Sequence, residues 1–258
     1  MKAIWSGSIG FGLVNIPIKI FSAIESSDIN LDMLDKKDFS NIRFKRVNEQ
    51  TGKEVAWENI VKGYKMDDKY IVVTDEDFAK ASPEKSKTIE ISAFVNEKDI
   101  DSIYYEIPYY TVPEKNGAKA YCLLRDALKK SGKAGLGSFV LRSKESLCIL
   151  KVLKEVIVLN KIRYAEEIRD TSELNIPTSK SKPAELKMAD QLIDHLTKPF
   201  NIEKYKDTYS GELMKLIKAK AKGKKIATPK MKVVHSTAKD LMSQLKASLG
   251  TKEKRKVS

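Results

Sequence analysis

The spacing of the apolar residues changes once along this chain, near residue 180, and that change limits the fold more than any other feature. Up to that point apolar, β-branched and aromatic residues gather in short segments at 16–21, 42–47, 70–74, 88–95, 109–112, 138–142 and 156–160. Segments of this length and composition suit pleated strands, whose successive side chains face opposite sides. Turn residues such as Gly52, Pro83, Asn116 and Gly137 stand between many of them, so a β-barrel or sandwich is expected. One helix should interrupt the strands over 118–130, because Ala120, Leu123, Leu124, Ala127 and Leu128 share a face at helical spacing.

Beyond residue 180 the period becomes helical. Leu186, Ala189, Leu192, Ile193 and Leu196 line one helix that starts near Ser181 and Pro183, and Leu213, Leu216, Ile217 and Lys220 line another. Gly, Pro and Lys over 223–230 mark an exposed linker. A last helix should follow, opened by Thr237-Ala238-Lys239-Asp240, a capping box with Asp in place of Glu or Gln, and stopped by Gly250. Ala238, Leu241, Met242, Leu245 and Leu249 share its apolar face, which either docks on the parent domain or enters a groove on a partner protein. The tail over 251–258, with Lys252, Lys254, Arg255 and Lys256, is expected to be disordered. Three parts are therefore expected: a β-rich core over 1–178, a helical arm over 179–222, and a basic linker, amphipathic helix and short basic tail over 223–258.

Charge indicates the kind of partner. Lys and Arg number 48 against 35 Asp and Glu, a formal charge of +13, which favours a polyanion such as nucleic acid or an acidic membrane surface. The excess is concentrated in residues 211–258, where 14 basic and 3 acidic residues leave the rest of the chain with 34 against 32. Two stretches of that nearly neutral body are polarised, 36–65 with 8 basic and 4 acidic residues and 119–151 with 8 and 2. A single lysine usually does no more than solvate a face. The clusters Arg43-Phe44-Lys45-Arg46 and Lys129-Lys130-Ser131-Gly132-Lys133 can present charge to phosphates.

Patterns that carry catalysis are lacking. His195 and His235 stand apart, without the spacing that metal ligation or nucleophile activation needs. Cys122 and Cys148 sit among leucine and isoleucine and read as small core residues in a reducing compartment, without a disulfide framework. Gly7-Ser8-Ile9-Gly10-Phe11-Gly12 reverses the dinucleotide spacing, and Gly132-Lys133-Ala134-Gly135-Leu136-Gly137 lacks the Lys-Ser or Lys-Thr ending of a phosphate loop. The carboxylate pairs Asp67-Asp68 and Glu166-Glu167 read as solvated. Polar residues interrupt every apolar run before a membrane span's length, so a soluble cytoplasmic protein without a secretory signal is expected. No active site, cofactor or metal is expected.

Trp5-Ser6-Gly7-Ser8-Ile9-Gly10-Phe11-Gly12-Leu13-Val14-Asn15-Ile16-Pro17-Ile18-Lys19-Ile20 closely resembles the opening of bacterial Ku, the DNA-end-binding factor of non-homologous end joining. The resemblance continues in order through Gly52-Lys53-Glu54-Val55, Ile60-Val61-Lys62-Gly63-Tyr64, Lys87-Thr88-Ile89-Glu90-Ile91, Phe94-Val95, Ile103-Tyr104-Tyr105 and Pro108-Tyr109-Tyr110. It then takes in Lys119-Ala120-Tyr121, Leu123-Leu124-Arg125, Val140-Leu141-Arg142-Ser143, Arg163 to Asp170, Pro199-Phe200 and Lys204-Tyr205-Lys206-Asp207, covering about residues 3–222.

This resemblance implies a mixed, mainly β fold, a Ku-type β-barrel whose long bridge and pillar insertion, about 30–108, closes a ring around duplex DNA in a homodimer, followed by C-terminal helices. A ring loading on any broken end should contact the sugar-phosphate backbone and leave the base edges unread. The DNA contacts it implies are Lys36, Lys37, Arg43, Lys45, Arg46 and Lys53 in the bridge and Arg142 in the barrel, while Arg125, Lys129, Lys130, Lys133 and Lys144 join by charge and proximity in sequence. The helices over 184–222 resemble the family's intersubunit arm. The last helix, through Leu241, Met242, Leu245 and Leu249, resembles the region that recruits an ATP-dependent DNA ligase, and Lys252, Lys254, Arg255 and Lys256 resemble a short version of the DNA-contacting tail. Some family members carry a C-x-x-C pair where this chain has Asn48 and Thr51, so no metal is carried over. Readings from other classes are a basic nuclease, which needs a carboxylate or histidine cluster, and a sequence-specific regulator, which needs affinity that falls on single base changes.

Overall fold

The computed structural model describes residues 1–81, 87–141, 144–223 and the positions 244, 245 and 248. It divides into two compact units, one of residues 1–26 and 32–171, the other of residues 27–31 and 172–258. The first unit opens with a hairpin of β1 (Trp5–Phe11) and β2 (Val14–Ser22). Gly12 turns it at φ +56°, a left-handed conformation that costs a residue without Cβ little. The chain then leaves the barrel, and the described residues over 32–87 form a 3-10 turn (Trp57–Asn59), a small hairpin, β3 (Lys62–Met66) with β4 (Lys69–Val73), and the short helix α1 (Asp75–Ala81). The chain returns as β5 (Thr88–Asn96) and β6 (Tyr105–Pro113), crosses in α2 (Ala118–Ser131), and ends the unit with β7 (Lys133–Leu141), β8 (Lys144–Leu153) and β9 (Val156–Ile162).

Seven of these strands close a barrel in the order β1-β2-β6-β9-β8-β7-β5. Its neighbours pair antiparallel except at the closure, where β1 runs parallel to β5 with Ser8 opposite Thr88 and Gly10 opposite Glu90. A Cβ on Gly7 would meet the Lys87 carbonyl, and one on Gly10 would lie 2.9 Å from Thr88 Cγ2. The N-terminal glycines thus let the closing strands approach, and glycine's weak strand propensity is why β1 does not read as a strand. Ile9, Ile16, Ile18, Ile89, Phe139, Leu150, Ile157 and Leu159 fill the barrel.

Helix α2 docks on this core through Tyr121, Leu124 and Leu128. The Tyr121 hydroxyl donates to the Thr111 carbonyl at 2.8 Å and accepts from the Ile157 amide at 2.8 Å, while the Thr111 hydroxyl donates to the Ile157 carbonyl at 2.8 Å. A buried hydroxyl needs partners, and this one ties the helix to β6 and β9. The docked line is narrower than the apolar face read from the sequence, so Leu123 is left 70% exposed. Cys122, expected in the core, lies on that open side and is exposed. Cys148 is buried, and burial pushes its thiol up to about 12.

Two further expectations change. Residues 42–47 form no strand: with no strand among the described residues to pair with, they make only the isolated bridge Val47 to Glu54. Of the stretch 30–108 expected as bridge, β5 and the start of β6 are staves of the barrel, so the part outside it ends by residue 87.

In the second unit α3 (Pro183–Leu196) begins with proline at its first turn, and α4 (Thr208–Ala221) is capped by Asp207, which accepts from the Ser210 amide at 3.1 Å. Helix α3 half-buries Met188, Ala189 and Leu192 and exposes Leu186, Ile193 and Leu196. Leu245 is half-buried. Leu241, Met242, Leu249 and the tail residues Lys252, Lys254, Arg255 and Lys256 lie outside the described residues. No helix among the described residues is long and apolar enough to cross a membrane.

Candidate nucleic-acid interface

Two matched turns organise the excursion over 32–87. In the first, the Asp35 amide donates to the Ser40 carbonyl and the Phe39 amide to the Asp35 carbonyl; in the second, Asn48 donates to Lys53 and Gly52 to Asn48, all at 2.8 Å. Short polar side chains complete each turn by accepting backbone N–H groups. Asp35 Oδ1 accepts from Lys37 at 2.8 Å, and Asn48 Oδ1 accepts from Gln50 and Thr51 at 3.0 Å each. The backbone and hydroxyl of Ser40 both bond Asp38 and hold its carboxyl below the usual carboxylate range. The turns project Lys36 and Lys37 from one tip and Lys53 from the side of the other.

Arg43, Lys45 and Arg46 lie between the turns, and the bridge Val47 to Glu54 sets their neighbours. With that register Arg46 stands opposite Val55, whose amide donates to the Arg46 carbonyl at 2.8 Å. Residues diagonal across such a pair share a face. On one face Lys45 Nζ meets Glu54 Oε2 at 2.6 Å, and on the other the Arg46 guanidinium lies 4.5 Å above the Trp57 ring. The Lys45 pair is exposed and therefore weak, so Lys45 can exchange Glu54 for another anion. Among the described residues no ion pair engages Lys36, Lys37, Arg43 or Lys53.

The second cluster is more constrained. Arg125 contacts Asp126 at 2.8 Å and Glu155 at 3.4 Å, and Lys129 contacts Glu155 at 2.9 Å. These cations hold both carboxyls below their usual range, Asp126 mainly through its hydrogen bond from Arg125 and Glu155 through that from Lys129. Lys133 donates to Asn96 Oδ1 at 3.1 Å and, with Lys129, Lys154 and Glu97, lines a shallow recess of about 230 Å³. Lys130 and Lys144 make no ion pair among the described residues. Arg142 lies outside them.

Some participants were not read from the sequence. Trp57 supports Arg46, and Lys62 Nζ lies 4.5 Å from the Phe78 ring. Only the register of the second turn reveals the first pairing. The excursion also exposes a large apolar surface, including Phe39, Phe44, Trp57, Tyr64 and Tyr70, each at least 65% exposed. No described residue over 32–87 is buried. Among the described residues no group of three or more His, Cys, Asp or Glu is placed to hold a metal ion. The arrangement offers cations and aromatic faces for binding.

Comparison with known proteins agrees with this architecture. Residues 10–188 match the family model for the Ku70/Ku80 beta-barrel domain. The chain is 39% identical to the "Non-homologous end joining protein Ku" of Coxiella burnetii, over 99% of this chain and 96% of that protein. It is 41% identical to the protein of the same name from Bacillus subtilis, over 96% of this chain and 82% of that protein, and 39% identical to that from Archaeoglobus fulgidus, over 96% and 98%.

Proposed function

This chain belongs to the Ku family, and from that premise we propose that it binds the ends of double-stranded DNA in non-homologous end joining, as a homodimeric ring that recruits an ATP-dependent DNA ligase. One observation carries the reading: the described residues over 32–87 combine cations outside any ion pair with exposed aromatics, and none of them is buried. Apolar surface on this scale marks an interaction site, and a second copy supplies a surface with the same need. The cations then face a polyanion, with Lys36, Lys37, Arg43, Lys45, Arg46 and Lys53 on the bridge, Lys130 at the end of α2, Lys144 at the start of β8, and Arg142 as phosphate contacts. Arg125, mostly shielded and held by two carboxylates, contributes less, whereas Lys129 in its exposed pair and Lys133 on a neutral amide can exchange those partners as Lys45 can.

On this reading the protein clamps ends without catalysing a reaction, in the cytoplasm at the nucleoid. Its bridge is narrowed to residues 32–87. The arm over 179–222 packs on the partner protomer through Leu186, Ile193 and Leu196. Leu241, Met242, Leu245 and Leu249 face the ligase, and Lys252, Lys254, Arg255 and Lys256 add tail contacts to DNA. Competition between linear and covalently closed circular duplex of identical sequence, at several salt concentrations, tests the clamp. Preference for the linear form is expected, and equal binding to both overturns it.

A further inference from the structure

We propose that Trp57 is a positioning residue, a pedestal that holds the Arg46 guanidinium flat so that its edge is presented to a DNA phosphate. The inference rests on the DNA-binding reading above and deepens it at one contact. Among the described residues of the excursion, Arg46 is one of two cations over an aromatic ring, and the only arginine of the two. A guanidinium is planar and carries its N–H donors in its own plane. The guanidinium carbon lies over the Trp57 ring, 4.5 Å from its centroid, and a guanidinium lying flat there would cover one face and leave those donors free for bidentate contact with phosphate. An ammonium over a ring, as Lys62 over Phe78, has no such plane to orient.

Local structure supports the pedestal. The turn over 48–53 fixes the register, the Val55 amide bonds the Arg46 carbonyl, and a short 3-10 turn over Trp57–Asn59 fixes the tryptophan backbone. Trp57 remains 71% exposed despite the stacked arginine, so its ring is not needed to fill a core of this chain. On the opposite face Lys45 is paired with Glu54, which leaves Arg46 as the oriented cation of this ribbon. Holding a long side chain in place before binding removes an ordering cost from association.

A double-substitution cycle on the full-length protein, with a single-ended hairpin duplex titrated from about 50 to 200 mM salt, tests the proposal. Arg46→Ala should weaken binding at least about tenfold and reduce the salt slope by about two, one for each copy of Arg46 in the dimer. Trp57→Leu should weaken it roughly three- to tenfold with the slope unchanged, because the charge remains but is no longer oriented. Trp57→Tyr should restore most of the affinity, and Trp57→Leu should have no further effect once Arg46 is alanine. An equal cost of Trp57→Leu with and without Arg46 overturns the pedestal, as does an unchanged slope in Arg46→Ala. In either case, weaker binding by Arg43→Ala or Lys53→Ala leaves the DNA-binding reading standing, whereas failure of the unsubstituted protein to bind the duplex removes both.

Discussion

The barrel and the excursion that leaves it belong to one compact unit, yet they differ in how complete they are. In the barrel, seven strands close on themselves, isoleucines and leucines exclude water, and a buried tyrosine meets its partners. In residues 32–87, two turns and a small hairpin satisfy much of the backbone locally while the aromatic side chains remain exposed. The first region is stable because of what it buries, and the second, on the proposed function, is organised for what it meets. Substitutions should therefore affect stability in one region and association in the other.

The largest effect should come from the barrel. Phe139→Ala removes a ring that is 2% exposed and should cost about 3–5 kcal/mol in denaturant unfolding. Phe44→Ala, at 80% exposure, should change the protomer's stability by no more than about 0.5 kcal/mol while weakening self-association in sedimentation equilibrium. A comparable stability loss at both sites would erase the contrast.

Tyr121→Phe leaves the Ile157 amide without its acceptor and should cost about 1–3 kcal/mol, again in unfolding midpoints. Phe39 tests the other side. It occupies φ +60°, the place that Gly52 fills at +66° in the matched turn, and a non-glycine residue pays for that conformation. Phe39→Gly should relieve at most about 1–2 kcal/mol of backbone strain yet weaken self-association, so that stability and assembly move in opposite directions. A gain in both would mean that Phe39 does not meet a partner.

The smallest effect concerns pH. Hydrogen bonds from Ser210 hold the Asp207 carboxyl below its usual range. A carboxylate whose folded pKa is lowered stabilises the fold above its unfolded pKa and loses that contribution as pH falls through the folded value. Helix α4 should therefore fray slightly at acid pH, below the ordinary carboxylate range, and Asp207→Asn should flatten that dependence as read by circular dichroism.

The two regions were unequally legible in the sequence. Alternation of Ile16, Ile18 and Ile20, and the run through Ile157 and Leu159, exposed several barrel strands because one face of each is buried. Strand β1 was hidden by its glycines, which serve a close approach that appears only once β5 is beside it. In the excursion, β-branched and aromatic residues over 42–47 imitated a strand, although no described strand pairs with them. The basic clusters could be counted, but not which cations were already engaged. Arg125 and Lys129 turn toward Glu155, 26 positions beyond Lys129, and no local pattern predicts that. Trp57 was missed for the same reason, because its role depends on the register of a turn.

Topological trapping tests the ring most directly. The protein would be loaded on a linear duplex whose ends are then ligated into a covalent circle, challenged with high salt to release electrostatically held molecules, and retention measured before and after a single restriction cut. A threaded ring predicts protein that survives the challenge on the circle and leaves once the circle is opened. Equal release from closed and cut DNA would contradict it.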